Sequence, residues 1–186
     1  TYVLLGDSEM AEGSQWEAMQ IAAHHKLDNL VGILDVNRLG QRGETMYGHD
    51  LNAYETRVSA FGWKTILVRD GHSLREILKA YEEAKGVKGK PVMIIAKTVK
   101  GKGVTFLENK DGWHGKALKK EEFDKAIAEL GEIDVLIKGE ILKPKNLSPE
   151  AEISQITKAF SYSNDQLVST RKAYGNALVR IFPKFP

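Results

Sequence analysis

Two polar side chains stand at the ends of two apolar runs. Asp7 follows the run Thr1 to Leu5 and Gly6, Asn37 follows Leu30 to Val36, and an amphipathic segment separates them. This pattern predicts a strand, helix, strand unit with an Asp and an Asn at the carboxyl ends of parallel strands. In an open parallel sheet such ends lie side by side, and ligands sit in the crevice beyond them. A carboxylate and a neutral carbonyl-type oxygen are hard ligands for Mg²⁺ or Ca²⁺, and Mg²⁺ fills its shell with waters and substrate phosphates. The pair implies a metal-bridged diphosphate site. Either residue alone equally fits a strand terminator or turn cap.

Two further clusters carry chemistry. In KTVKGKG, Lys97 to Gly103, the glycines let backbone approach a ligand and the lysines offer charge to phosphate. The P-loop pattern is absent, so a solvated basic turn explains the segment as well. In DGWHGK, Asp111 to Lys116, His114 lies between Trp113 and Gly115, and a side chain that titrates near neutrality can serve as donor or acceptor. His24, His25, His49 and His72 receive no functional role.

The elements that must position these residues alternate along the chain. A helix is expected over Ser14 to His25, capped by Ser14 with Glu17 and burying Trp16, Met19, Ala22 and Ala23. Arg38 to Asp50 reads as a loop. Leu51 to Phe61 is a helix stopped by Gly62, and Lys64 to Val68 is a third strand. Ser73 and Glu76 form a capping-box pair for a helix with Leu74, Ile77, Leu78 and Tyr81 on one face. Val92 to Lys97 is a fourth strand, too apolar for a wet face. The alternation predicts an α/β fold with a parallel sheet flanked by helices. Thr1 to Leu5, continuously apolar, is expected to be buried.

Helical patterns recur at Lys119 to Glu132 and at Thr170 to Ile181. The Pro-, Ser- and Asn-bearing stretch between Gly139 and Ser169 reads as a linker with a short helix near Ala151 to Phe160. The 186 residues, 42% hydrophobic, describe a globular chain with one domain and part of another. A net charge of +2 argues for neither nucleic acid nor anionic membrane. No cysteine is present, which excludes disulfides and thiolate metal sites and fits a cytoplasmic protein. The apolar runs are of strand length, so no transmembrane helix is expected. A core-type strand starting at Thr1, with no leader before it, suggests a piece of a longer chain: an excised segment, a processed fragment or a split-enzyme subunit.

GDSE, EG and WEA, followed by KLDNLVGILDVNRLGQ, resemble the thiamine-diphosphate signature of the transketolase family, closest to the animal type. Ser8 replaces the signature's third glycine, where backbone nears the diphosphate, and Val36 precedes Asn37 where asparagine is common. Ser8 is therefore expected to adopt a geometry that suits glycine. WHGK, AFGW and DGHS favour this family over related thiamine-diphosphate dehydrogenases and deoxyxylulose-phosphate synthases.

The resemblance implies thiamine diphosphate with Mg²⁺ or Ca²⁺, and a fold incomplete on its N-terminal side. Asp7, Asn37 and the Leu39 carbonyl would be the metal ligands. Ser8, Asn37, Gln41, Lys100 and His114 would contact the cofactor, and His114 would also position substrate. Glu12 matches a subunit-interface glutamate. Residues 1–138 would belong to the diphosphate-binding domain, 139–169 to a linker, and 170–186 to the start of the pyrimidine-binding domain. The implied activity is ketol transfer between sugar phosphates in the pentose phosphate pathway by a cytoplasmic homodimer. The chain alone is expected to be inactive; the alternative is a non-catalytic assembly subunit.

Overall fold

A computed structural model describes residues 1–132, 136, 138–139, 161–163 and 165–181. The chain divides into two compact units, Thr1–Ile133 and Asp134–Pro186. In the first, the strands β1 (Tyr2–Gly6), β2 (Val31–Val36), β5 (Lys64–Val68) and β6 (Val92–Lys97) form one parallel sheet in the order β1-β2-β6-β5. Gly6 pairs with Asp35 and Val36 with Lys97, so the carboxyl ends of β1, β2 and β6 are level.

Helices cover both faces of this sheet. α1 (Gly13–His24) and α2 (Leu51–Ala60) pack on one face, where Met19, Ala22, Tyr54 and Val58 meet Leu34, Val36, Met93 and Ile95. On the other face α3 (Leu74–Gly86) sets Ala80 and Ala84 against Ile66, Val68, Val92 and Ile94. Five consecutive buried residues, Val92 to Ala96, confirm that β6 has no wet face. Trp63 donates its indole N–H to the Met19 carbonyl at 2.9 Å, giving a buried polar atom its partner.

The structure corrects several expectations. β1 is an edge strand, not a buried one: Tyr2 and Leu4 are 58% and 71% exposed. Their open face follows from strand order, because α3 packs over β5 and β6, and Tyr2 meets it through an edge contact with Tyr81. α1 begins at Gly13 with Glu12 as N-cap, so Ser14 lies inside its first turn and is not the cap. Ile77 and Tyr81 of α3 pack partly buried beside Ala80 and Ala84 as expected of that face, but Leu74 and Leu78 are 75% and 64% exposed. Small side chains let this helix approach the sheet closely, and the larger leucines fall outside the contact. Glu76 turns back to the Arg69 and Asp70 N–H groups, leaving Ser73 to cap its N–H alone.

The expected loop after Asn37 contains a small antiparallel hairpin, β3 (Leu39–Gly40) with β4 (Gly43–Glu44). Asp50 then caps α2 by accepting from the Asn52 and Ala53 N–H groups. α4 (Lys120–Leu130) closes the first unit's described residues, with Glu122 accepting from the Lys119 N–H at 2.8 Å. In the second unit α5 (Thr170–Ile181) matches its expected span, but Ala177, Leu178 and Ile181 are exposed. The helix expected near 151–160 lies outside the described residues. No described helix is long and apolar enough to cross a membrane.

Candidate functional site

The level ends of β1 and β2 bring Asp7 beside the turn that begins at Asn37. Asp7 is 4% exposed and is the one buried charged residue among those described. Its Oδ2 accepts the Arg38 N–H at 2.6 Å and the Thr45 O–H at 3.2 Å. Burial holds the Asp7 carboxyl above its ordinary pKa, while the Arg38, Thr45 and Ser8 contacts oppose that rise and nearby Asp35 adds to it. A buried carboxylate of this kind is costly without a cation, and one placed in a cleft is a functional candidate.

Arg38 occupies the left-handed region with φ +65°, a conformation that costs a non-glycine residue about 1 kcal/mol or more. The surroundings hold it there: its carbonyl accepts from the Thr45 N–H at 2.8 Å, and its guanidinium binds Asn109 and Glu44. This bend places Asn37 and Leu39 on either side of the strained residue. Asn37 Oδ1 accepts the Leu39 N–H at 3.1 Å, and its Nδ2 donates to Asp35 Oδ2 at 3.4 Å. Asp35 Oδ1 takes the Thr98 hydroxyl, which ties β2 to the end of β6.

A cavity of about 310 Å³ opens at this edge, lined by Asp7, Ser8, Asn37, Leu39, Lys100 and His114, with Leu4, Gly6, Glu9 and Asp35. Six of the seven expected site residues therefore share one space. Gln41 does not line it; it is exposed in the hairpin turn. Glu12 is exposed at the start of α1. Lys100 Nζ donates to the Leu39 carbonyl at 3.4 Å and to His114 Nδ1 at 2.9 Å, which leaves the ring proton on Nε2. Gly101, at φ +73°, allows this loop to fold: a Cβ there would sit 2.8 Å from Leu107 Cβ.

Ser8 does not need glycine's freedom. Its φ of −68° and ψ of −31° are ordinary right-handed values, so the expected strain is absent. Thr45, Asp35 and Thr98 bear on the site without a motif to announce them; each becomes visible through long-range hydrogen bonds. His49 and His72 tie the neighbouring loop down, through the Thr98 carbonyl and the Val99 N–H.

The donor set suits a hard cation that shares its shell with phosphate oxygens. Among the described residues no three His, Cys, Asp or Glu side chains gather as a self-sufficient metal site. One carboxylate, one amide and one carbonyl leave positions for a diphosphate, and the lysine and histidine above them offer donors to the same group.

This fold and its edge define a diphosphate-binding α/β domain, and comparison with known proteins gives the cofactor. Residues 1–143 match the family model described as transketolase, thiamine diphosphate binding domain. Transketolase of Homo sapiens is 45% identical over 184 residues, covering 97% of this chain and 29% of that protein. Transketolase-like protein 2 of Bos taurus is 42% identical over 190 residues, with the same coverage. Among solved structures, a transketolase mutant from Pichia stipitis aligns with TM-score 0.61 and 32% identity, covering 70% of this chain and 19% of that one. Transketolase from Campylobacter jejuni aligns with TM-score 0.53 and 38% identity over 59% and 17% of the two chains. The chain belongs to the transketolase family, and it spans 29% of the length of these curated relatives.

Proposed function

We propose that the protein is a transketolase that moves a two-carbon ketol unit from a ketose phosphate to an aldose phosphate, and that this chain supplies the metal and diphosphate half of its site. The observation that carries the reading is the buried carboxylate of Asp7, bonded across the sheet edge beside Asn37 and Leu39. Asp7 and Asn37 side chains and the Leu39 carbonyl hold Mg²⁺, or Ca²⁺, which accepts the same oxygens. When bound, thiamine diphosphate supplies the nucleophile and the electron sink of the reaction.

The residues of this chain bind and orient. Ser8 brings its backbone close to the diphosphate. Lys100 adds positive charge, and His114 presents its Nε2 proton toward the diphosphate and the reacting end of the sugar. Gln41 reaches the cofactor from the hairpin turn. Residues 1–138 form the diphosphate-binding part, 139–169 a linker, and 170–186 the start of a pyrimidine-binding domain. The working enzyme is a cytoplasmic homodimer of the pentose phosphate pathway, with Glu12 at the subunit interface and the aminopyrimidine-activating groups outside this chain.

The test is reconstitution. This chain is mixed with a complementary chain carrying a pyrimidine-binding domain, and ketol transfer is assayed on fractions from gel filtration. The expected result is no turnover by either chain alone and turnover in the co-eluting complex. A complex that assembles but stays inactive with cofactor, magnesium and sugar phosphates would favour an assembly subunit.

A further inference from the structure

The two oxygens of Asp7 are treated differently. Oδ2 takes both the Arg38 N–H and the Thr45 hydroxyl, and Oδ1 takes neither. Thr45 immediately follows β4, and its own N–H is fixed to the Arg38 carbonyl at 2.8 Å. The hairpin thus returns a single hydroxyl to the end of β1, 38 residues earlier in the chain.

Behind that hydroxyl lies a second cavity of about 460 Å³, lined by Thr45, Trp16, Tyr47, Tyr54 and Arg57 among others. Asp7 and Ser8 line this rear cavity as well as the front one. Tyr54 is 1% exposed, and its hydroxyl lies near that of Thr45 without closing a well-formed hydrogen bond. The wall between the two cavities is therefore thin, and the Asp7–Thr45 bond is part of it.

We propose that Thr45 is a positioning residue of the cation site: its hydroxyl occupies Oδ2 and so presents Oδ1 of Asp7 to the divalent cation. The inference rests on reading Asp7 as a metal ligand. Mg²⁺ demands near-ideal octahedral geometry, so a carboxylate free to turn about its own axis is a poorer ligand than one held by a second donor. The Arg38 N–H fixes one direction, with a backbone contact from Ser8 beside it, and the Thr45 hydroxyl adds a side-chain donor from the hairpin. Without it, Oδ2 would face the rear cavity with a lone pair to satisfy, and rotation or an entering water would compete with ligation.

The test uses Mn²⁺ as the probe, in the presence of thiamine diphosphate, with binding to the whole 186-residue chain read by water-proton relaxation. Thr45→Val keeps the side-chain shape and removes the donor; it is expected to weaken Mn²⁺ binding about tenfold, while Thr45→Ser restores it to within about twofold. Wild-type affinity in Thr45→Val, or failure of Thr45→Ser to restore binding, would overturn the inference. A folded, unsubstituted chain that takes up no Mn²⁺ would overturn the ligand reading of Asp7 itself.

Discussion

Asp7 and Asp70 hold matching places in the fold: each lies just past the carboxyl end of an outer strand of the sheet, β1 and β5. Asp70 is exposed, and its Oδ1 accepts the N–H of His72, two residues on, at 3.0 Å. Asp7 is buried, and its carboxylate is held by groups 31 and 38 residues away. The first is a turn former whose bonding is complete within its own loop. The second directs its bonding to the neighbouring strand's turn and to the hairpin, at a cost in desolvation that a local cap does not bear. Residue type and position in the sheet are shared; the range of the partners separates a turn from a site.

The largest effect should come from the other member of the pair. Asn37→Ala removes a proposed ligand and is expected to lower magnesium-dependent affinity for thiamine diphosphate about a hundredfold by calorimetry, a loss that Asp70→Ala should not reproduce. Asp70→Ala should instead cost about 1 kcal/mol of stability, read from a denaturant midpoint. Binding loss in Asp70→Ala would break the comparison.

Gly71, beside Asp70, sharpens it. A Cβ there would sit 2.6 Å from Thr98 Cγ2 and 2.7 Å from the Lys97 carbonyl oxygen. Gly71→Ala is expected to lower stability by about 2 kcal/mol, with cofactor binding retained wherever the chain is folded. Thermal melts alongside titration would check both halves of this expectation.

The third prediction turns on pH. Burial raises the Asp7 pKa in the folded chain, so the folded state binds that proton more tightly than the unfolded state. The group favours folding at low pH, and that contribution is lost as pH rises through its folded value. At neutral pH the charged form is a net cost to the metal-free chain. Asp7→Asn should therefore raise Tm without metal near neutrality, and the gain should shrink between about pH 7 and about pH 3. A variant that melts below the parent at neutral pH would contradict the burial account.

Ser8→Gly should have the smallest effect. Because Ser8 already has right-handed dihedral angles, glycine relieves no strain. The substitution is expected to cost about 0.5 kcal/mol in stability through backbone entropy and to leave cofactor affinity unchanged. A marked gain in affinity would show that the backbone here changes on binding.

The strand and helix alternation was legible because each buried face needs a contiguous set of apolar residues: Val92 to Lys97 and Lys64 to Val68 have the bounds that their composition implies. Asp7 and Asn37 were legible because each directly follows such a run. Other features depend on contacts that one-dimensional spacing does not contain. The hairpin has strands of two residues, too short for any period, and with it went the donor from Thr45. On α3 the spacing finds Ile77 and Tyr81, which pack on the core, but Leu74 and Leu78 outweigh Ala80 and Ala84 in hydrophobicity, whereas close approach to the sheet favours the small side chains. β1 looked like a core strand because its residues are apolar, but exposure is set by strand order and by which strands a helix covers.

The most direct measurement is a calorimetric titration of thiamine diphosphate into this chain, with and without Mg²⁺, alongside Asp7→Ala and Asp70→Ala. The account predicts saturable, magnesium-dependent binding that Asp70→Ala keeps and Asp7→Ala loses. Binding that survives in Asp7→Ala, or that is indifferent to Mg²⁺ in the parent chain, would contradict the assignment of the β1 and β2 ends as the metal and diphosphate site.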